Sequence, residues 1–273
     1  MWLAGFSLLL VLFGTIYLFL QKRNEDNRWK LIDTMEFPQE FEQILCKAFH
    51  PYNFLDTKEK QTLTRKILYF MEYKNFHPIG GFEITNEIKL LISAQACLLV
   101  LNLEGGVYPT LKNLFIAAST FVDKNNYVDF STALPRHVPT LGESWTQGPV
   151  VLSWNSAKNG LKNWNDGQNV VLHEFAHQLD ALDGHMDGTP ELSGEKSYRK
   201  WKIFMGKEFS KLRSSVEKRR HHDIDSYGAT NEAEFFAVTV EYFFEKTPVF
   251  KKKHPELFEL FHSFFKIDPC RWN

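Results

Sequence analysis

The sequence predicts a mainly helical α+β domain with a small sheet, preceded by one N-terminal transmembrane helix. Three observations predict it. The run Trp2–Leu20 carries no charge and is dominated by Leu, Phe, Val and Ile, so as a helix it can just span a bilayer. The remainder holds several long stretches with apolar residues at helical spacing and only a few short runs suited to strands. Finally, His173-Glu174-Phe175-Ala176-His177 places two imidazoles four residues apart, on one face of a helix.

Composition narrows the rest. With 273 residues, 44% hydrophobic and 24% charged, the chain is an ordinary globular one, long enough for a sizeable core. A formal net charge of -1 gives no overall pull toward nucleic acid, and no direct nucleic-acid binding is expected. The three cysteines, Cys46, Cys97 and Cys270, form no CxxC pair and no disulfide framework. A reducing compartment is the simplest reading.

At the N-terminus, Met1 is followed by no Lys or Arg, and the apolar run meets Gln21, Lys22 and Arg23 rather than a small-residue cleavage site. This favours a retained anchor over a cleaved signal. Positive charge lies only on the C-terminal flank, at Lys22, Arg23, Arg28 and Lys30. That bias predicts a single-pass inner- or plasma-membrane protein whose bulk faces the cytoplasm. Residues 1–21 then read as anchor, 22–34 as linker and 35–273 as one folded domain.

Within that domain, Asp56 and Glu59 form a capping box opening a helix with Leu63, Ile67, Phe70 and Met71 on its buried side. Glu87–Leu103 is apolar nearly all round. Lys89, Ser93 and Gln95 make it a buried core helix rather than a second span. Phe115–Val122, Tyr127–Phe130 and Pro149–Trp154 read as short strands. The helix carrying the two histidines is expected to be capped by Asp166, buried through Val170, Val171 and Leu172, and ended by Gly184. Residues 185–197 read as a loop, followed by an amphipathic helix Glu195–Leu212 around Trp201, Phe204 and Phe209. The basic run Lys218–His222 reads as a solvated loop face rather than a phosphate or metal site. Thr230 or Asn231 caps a helix running to about Glu245, on which Glu234, Val238 and Glu241 share a face.

The chemistry follows from the residue types. Two imidazoles on one helical face can bind a single tetrahedral Zn²⁺. Glu174, beside the first of them, is placed to act as general base on a water. A third ligand is needed, and spacing alone does not choose between Glu232, Glu234 and Glu241. A carboxylate on an apolar helix is costly to bury unless paired or bound to metal; the other reading is an exposed Glu at the edge of the apolar face. Asp180, three residues beyond His177, is either a partner for a ligand imidazole or a surface or capping residue.

Four segments, GPVVLSW at 148–154, DGQNVVLHEFAHQLDALDG at 166–184, AEFFAVTVEYFFEKTP at 233–248 and HPELFELFHSFFKIDP at 254–269, give the chain its resemblance. It resembles the Mlc titration factor A family of zinc-dependent peptidases from about residue 35 to 270. The metal site is also similar to that of the anthrax lethal factor catalytic domain, in the helix at 173–177 and the segment Ser226–Ala237. The resemblance implies a zincin-like metallopeptidase domain over 35–273, with His173, His177 and Glu234 as ligands of Zn²⁺. It further implies Glu174 as catalytic base and Tyr227 as a substrate-facing catalytic residue. In zincins an edge strand near the metal helix commonly pairs with extended substrate; for 149–154 that role and a plain structural one both stay open. The implied activity is hydrolysis of peptide or protein substrates, aminopeptidase-like on small ones, and the implied partner is a transcriptional repressor of sugar uptake. The apolar N-terminus departs from the soluble regulatory members of the family. The alternative is an interaction protein that sequesters a DNA-binding regulator around a structural zinc. Glu174 argues against it, because a structural site needs no base.

Overall fold

A computed structural model describes residues 2–119, 122–123, 126–127 and 148–272, with residues 2–12 and the two short pairs described by backbone alone. The chain forms two compact units, Met1–Pro38 and Gln39–Asn273.

The first unit is a single helix, α1 (Trp2–Ile32). Apart from Gly14 nothing before Pro38 breaks a helix, and residues 22–32 of the expected linker continue it. Among the described residues no helix is long and apolar enough to cross a membrane. The expected membrane span therefore finds no support here.

The second unit is mainly helical around a small sheet. Its first part contains α2 (Gln39–Ala48), α3 (Thr57–Tyr73), β1 (Asn75–Pro78), α4 (Asn86–Leu99) and β2 (Asn113–Ala117). The capping box of α3 forms as expected: Asp56 accepts from the Glu59 N–H at 2.8 Å, and Glu59 accepts from the Asp56 N–H at 2.9 Å. Two-residue strands β3 (Val122–Asp123) and β4 (Asn126–Tyr127) pair antiparallel. The expected strand over Phe115–Val122 is therefore divided, and residues 128–130 lie outside those described. β5 (Val150–Ser153) completes a three-stranded sheet in the order β1-β2-β5. Both pairings are parallel, with Phe76 beside Leu114 and Leu114 beside Val150. Central β2 is buried along Leu114–Ala117, as a parallel strand covered on both faces must be. β5 gives way to a helix at Trp154, because the Ser153 hydroxyl accepts from the Ser156 N–H at 3.3 Å and caps it.

The remaining helices are α5 (Trp154–Lys162), α6 (Val170–Asp180), α7 (Glu195–Glu217), α8 (Glu232–Glu245), α9 (Thr247–Lys253) and α10 (Pro255–Phe265). The C-terminal phenylalanines make the core under α8. Trp201 stacks on Phe261 at 5.4 Å, Phe243 on Phe265 at 5.8 Å, and Phe244 on Trp272 at 6.0 Å. Each such side chain contributes roughly 1.5–3 kcal/mol by leaving water. That burial fixes α8, and α8 packs directly against α6.

Candidate metal centre

The helix with the two histidines begins one turn later than the sequence suggests. Asn169, not Asp166, is its cap: the Asn169 Oδ1 accepts from the N–H groups of Val171 and Leu172, each at 3.1 Å. Asp166 is diverted into a local turn, accepting from the Gln168 N–H at 2.9 Å. The amide of Asn169 also donates to Gln95 on α4 at 3.0 Å and to Glu245 on α8 at 3.1 Å. A Cβ on Gly160 of α5 would meet Asn169 at 2.8 Å, so the cap occupies space that only glycine leaves. Gly184, at φ 90°, ends the short 3₁₀ turn Ala181–Asp183 that follows α6.

His173, His177 and Glu234 come together. One ligand atom from each lies within 4.8 Å of the others. His173 Nε2 is 3.0 Å from Glu234 Oε2, and His177 Nε2 is 3.5 Å from the same oxygen. The imidazoles stand nearly perpendicular, at 81° with centroids 4.9 Å apart. Glu234 is positioned by the start of α8, where Asn231 accepts its N–H at 2.9 Å. Of the two cap candidates, Asn231 does this; Thr230 donates its hydroxyl to the Tyr227 carbonyl at 2.7 Å. Glu232 is exposed and outside the cluster. Glu241 lies behind His173, its Oε1 2.8 Å from Nδ1.

Electrostatics follow from this packing. Burial pulls the His173 pKa down, but hydrogen bonds to Glu234 and Glu241 outweigh it and lift it to about 10. Burial pushes Glu234 up, yet the two imidazoles hold it at about 2. Glu174 is half-buried beside the first ligand. Burial raises its carboxyl, partly offset by His173 and His177 and reinforced by Glu234, the direction that makes a carboxylate a better base. Tyr227 sits in the 3₁₀ turn Ser226–Ala229. Its ring centroid is 6.0 Å from that of His173, and the residue is 54% exposed. Asp180 is buried and accepts the Gly188 N–H at 2.9 Å. Among the described residues, its Oδ1 and His177 Nδ1 are both buried without a hydrogen-bond partner; through Gly188, Asp180 anchors the loop after α6.

The donor set fits zinc. Three ligands at about 2.0–2.1 Å on one tetrahedral ion stand roughly 3.3 Å apart, close to the separations of Glu234 Oε2 from the two imidazoles. Glu241 Oε1 stands on the opposite side of the His173 ring from Glu234; an Nδ1–H donated to it would leave Nε2 to a metal.

By spacing, Glu241 is only a rival ligand. Its place on the face shared with Glu234 was the available signal. The geometry assigns it to the other side of the imidazole.

The family model described as glucose-regulated metallo-peptidase M90 matches residues 21–266. The chain belongs to this M90 family. An uncharacterized protein, slr2042, of Synechocystis is 35% identical over 246 residues, covering 89% of this chain and 90% of that protein. Mlc titration factor A of Klebsiella pneumoniae is 29% identical over 220 residues, 80% of this chain and 82% of the relative. That of Escherichia coli is 28% identical over 221 residues, again 80% and 82%. The M90 match spans both helices that carry this cluster, α6 and α8.

Proposed function

We propose that this M90 member is a zinc metallopeptidase that hydrolyses peptide bonds. The observation that carries the reading is the convergence of His173, His177 and Glu234 with Glu174 adjoining the first ligand. His173, His177 and Glu234 would hold the ion. A bound zinc supplies Lewis-acid chemistry, acidifying water and polarising the scissile carbonyl. Glu174 takes the proton of the attacking water and passes it to the leaving amine. Tyr227, exposed and with its ring centroid 6.0 Å from that of His173, donates a hydrogen bond to the developing oxyanion. Aminopeptidase-like action on small peptides is the finer form of this reading, supported by the resemblance in sequence.

The name of these relatives, Mlc titration factor A, supports a second role, in which the surface of this domain binds a transcriptional repressor. Membrane attachment through residues 2–20, with the domain in the cytoplasm, is proposed on sequence alone; cell fractionation and protease protection test it. A mature protein beginning beyond residue 20 would overturn it.

Glu174→Gln tests the catalytic reading. Turnover of a peptide library should fall by roughly 10²–10⁴, the contribution of a general base, while bound zinc stays at one equivalent per chain. A wild type that binds zinc but cleaves nothing, while it captures a repressor, would favour the interaction role.

A further inference from the structure

Behind the ligands lie two buried carboxylates that the proposed reaction does not use. Glu241 and Glu245 are one turn apart on α8, and both are buried. Ionised groups in such a place are expensive unless every oxygen is satisfied. Glu241 Oε2 accepts the backbone N–H of Asn169, and its Oε1 faces His173 Nδ1 at 2.8 Å. Glu245 Oε2 accepts the N–H groups of Gly167 at 2.9 Å and Gln168 at 3.1 Å. Its Oε1 accepts the Asn169 amide at 3.1 Å. The backbone and amide partners can only donate, and an ionised carboxylate can only accept.

We propose that Glu241 is a positioning residue for the metal ligand His173, and that Asn169, clamped by Glu245, holds Glu241 in place. An imidazole offers one nitrogen to a metal only when the other carries the proton. With its two oxygens set against Asn169 N–H and His173 Nδ1, Glu241 keeps that proton on Nδ1 and turns Nε2 toward Glu234. Asn169 begins the helix that carries His173, so one residue sets both the start of α6 and the seat of Glu241. Glu245 fixes the three-residue approach Gly167–Asn169. The inference rests on the metal reading above.

Glu241→Gln is the test, because an amide has one acceptor for two donors. With its oxygen on Asn169 N–H, its NH₂ group faces His173 Nδ1 and drives the proton to Nε2, the ligand atom. Zinc affinity of the full chain, measured by chelator competition, should fall 10–100-fold, the usual loss on disturbing such a partner. Glu245→Gln should weaken zinc less, in the same direction. The melting temperature of the metal-free protein should change by only a few degrees in both. Zinc affinity of Glu241→Gln within about threefold of wild type would overturn the positioning role, as would a loss of folding stability with affinity unchanged. If Glu241→Gln does not fold, Glu241→Asp keeps two acceptors but retracts them by a methylene. Weaker zinc binding there supports the proposal, and unchanged binding ends it. A wild type that takes up no zinc, or a Glu234→Ala variant that keeps full affinity, would defeat the metal reading instead.

Discussion

His173 Nδ1 lies 2.8 Å from Glu241 Oε1 while its Nε2 lies 3.0 Å from Glu234 Oε2. One imidazole is thus held between two carboxylates two turns apart on the same helix.

The division between the carboxylates of α8 is testable by metal content. Glu234→Ala should lose zinc on purification, whereas Glu232→Ala, exposed and outside the cluster, should keep one equivalent. Elemental analysis of the two purified variants decides it. Full occupancy in Glu234→Ala would remove that residue from the ligand set.

Tyr227→Phe keeps the ring beside His173 and removes only the hydroxyl. If the phenol donates to the oxyanion, kcat should fall by roughly 10²–10³, with KM, zinc content and melting temperature little changed. Steady-state kinetics on a peptide substrate provide the measurement. A kcat within about threefold of wild type would leave Tyr227 a packing residue.

Acid stability has a separate source. Glu208 is buried on α7 and sits 3.0 Å from His254 Nδ1. The His254 hydrogen bond, opposed by burial and aided by Lys211, holds its carboxyl at about 2, below the ordinary 4.5. A depressed carboxylate stabilises the fold above its unfolded pKa and loses that contribution as pH falls through the folded one. Glu208→Gln should therefore cost about 1.5–3 kcal/mol near neutrality, the range for hydrogen bonds to charged groups. The gap from wild type should narrow between pH 4.5 and 2. Melting curves across that range check it, and a gap independent of pH would show that Glu208 contributes by packing alone.

Gly188→Ala probes the loop that meets the start of the ligand helix. Gly188 has φ 78°, and an added Cβ would lie 2.3 Å from the Glu232 carbonyl oxygen. The left-handed backbone costs about 1–2 kcal/mol and overpacking about 1–3 kcal/mol more. Because Glu232 is the first residue of α8, zinc affinity should fall together with the melting temperature. A variant as stable as wild type would show that the loop yields freely.

What could be read from the sequence was what depends on near neighbours. The four-residue spacing of His173 and His177 fixes their common face, and Asp56 with Glu59 fixes the start of α3, because helical geometry is set within one turn. The alternation of long helical stretches with short strands was legible for the same reason. Even locally, the sequence favours Asp166 as the cap of α6, whereas Asn169 holds that place. The Asp166 side chain turns back onto Gln168, and Asn169 wins because Gly160, Gln95 and Glu245 build a seat around it. Spacing left Glu232, Glu234 and Glu241 equal, and only resemblance singled out Glu234. The packing of α8 on α6 separates them, turning Glu232 to solvent, Glu234 to the Nε2 atoms of the two imidazoles and Glu241 to the far nitrogen of His173. The parallel order β1-β2-β5 and the linked carboxylates of α8 belong to the same class. They are contacts between residues far apart in the chain, chosen by which apolar faces bury one another, and only the tertiary structure decides them.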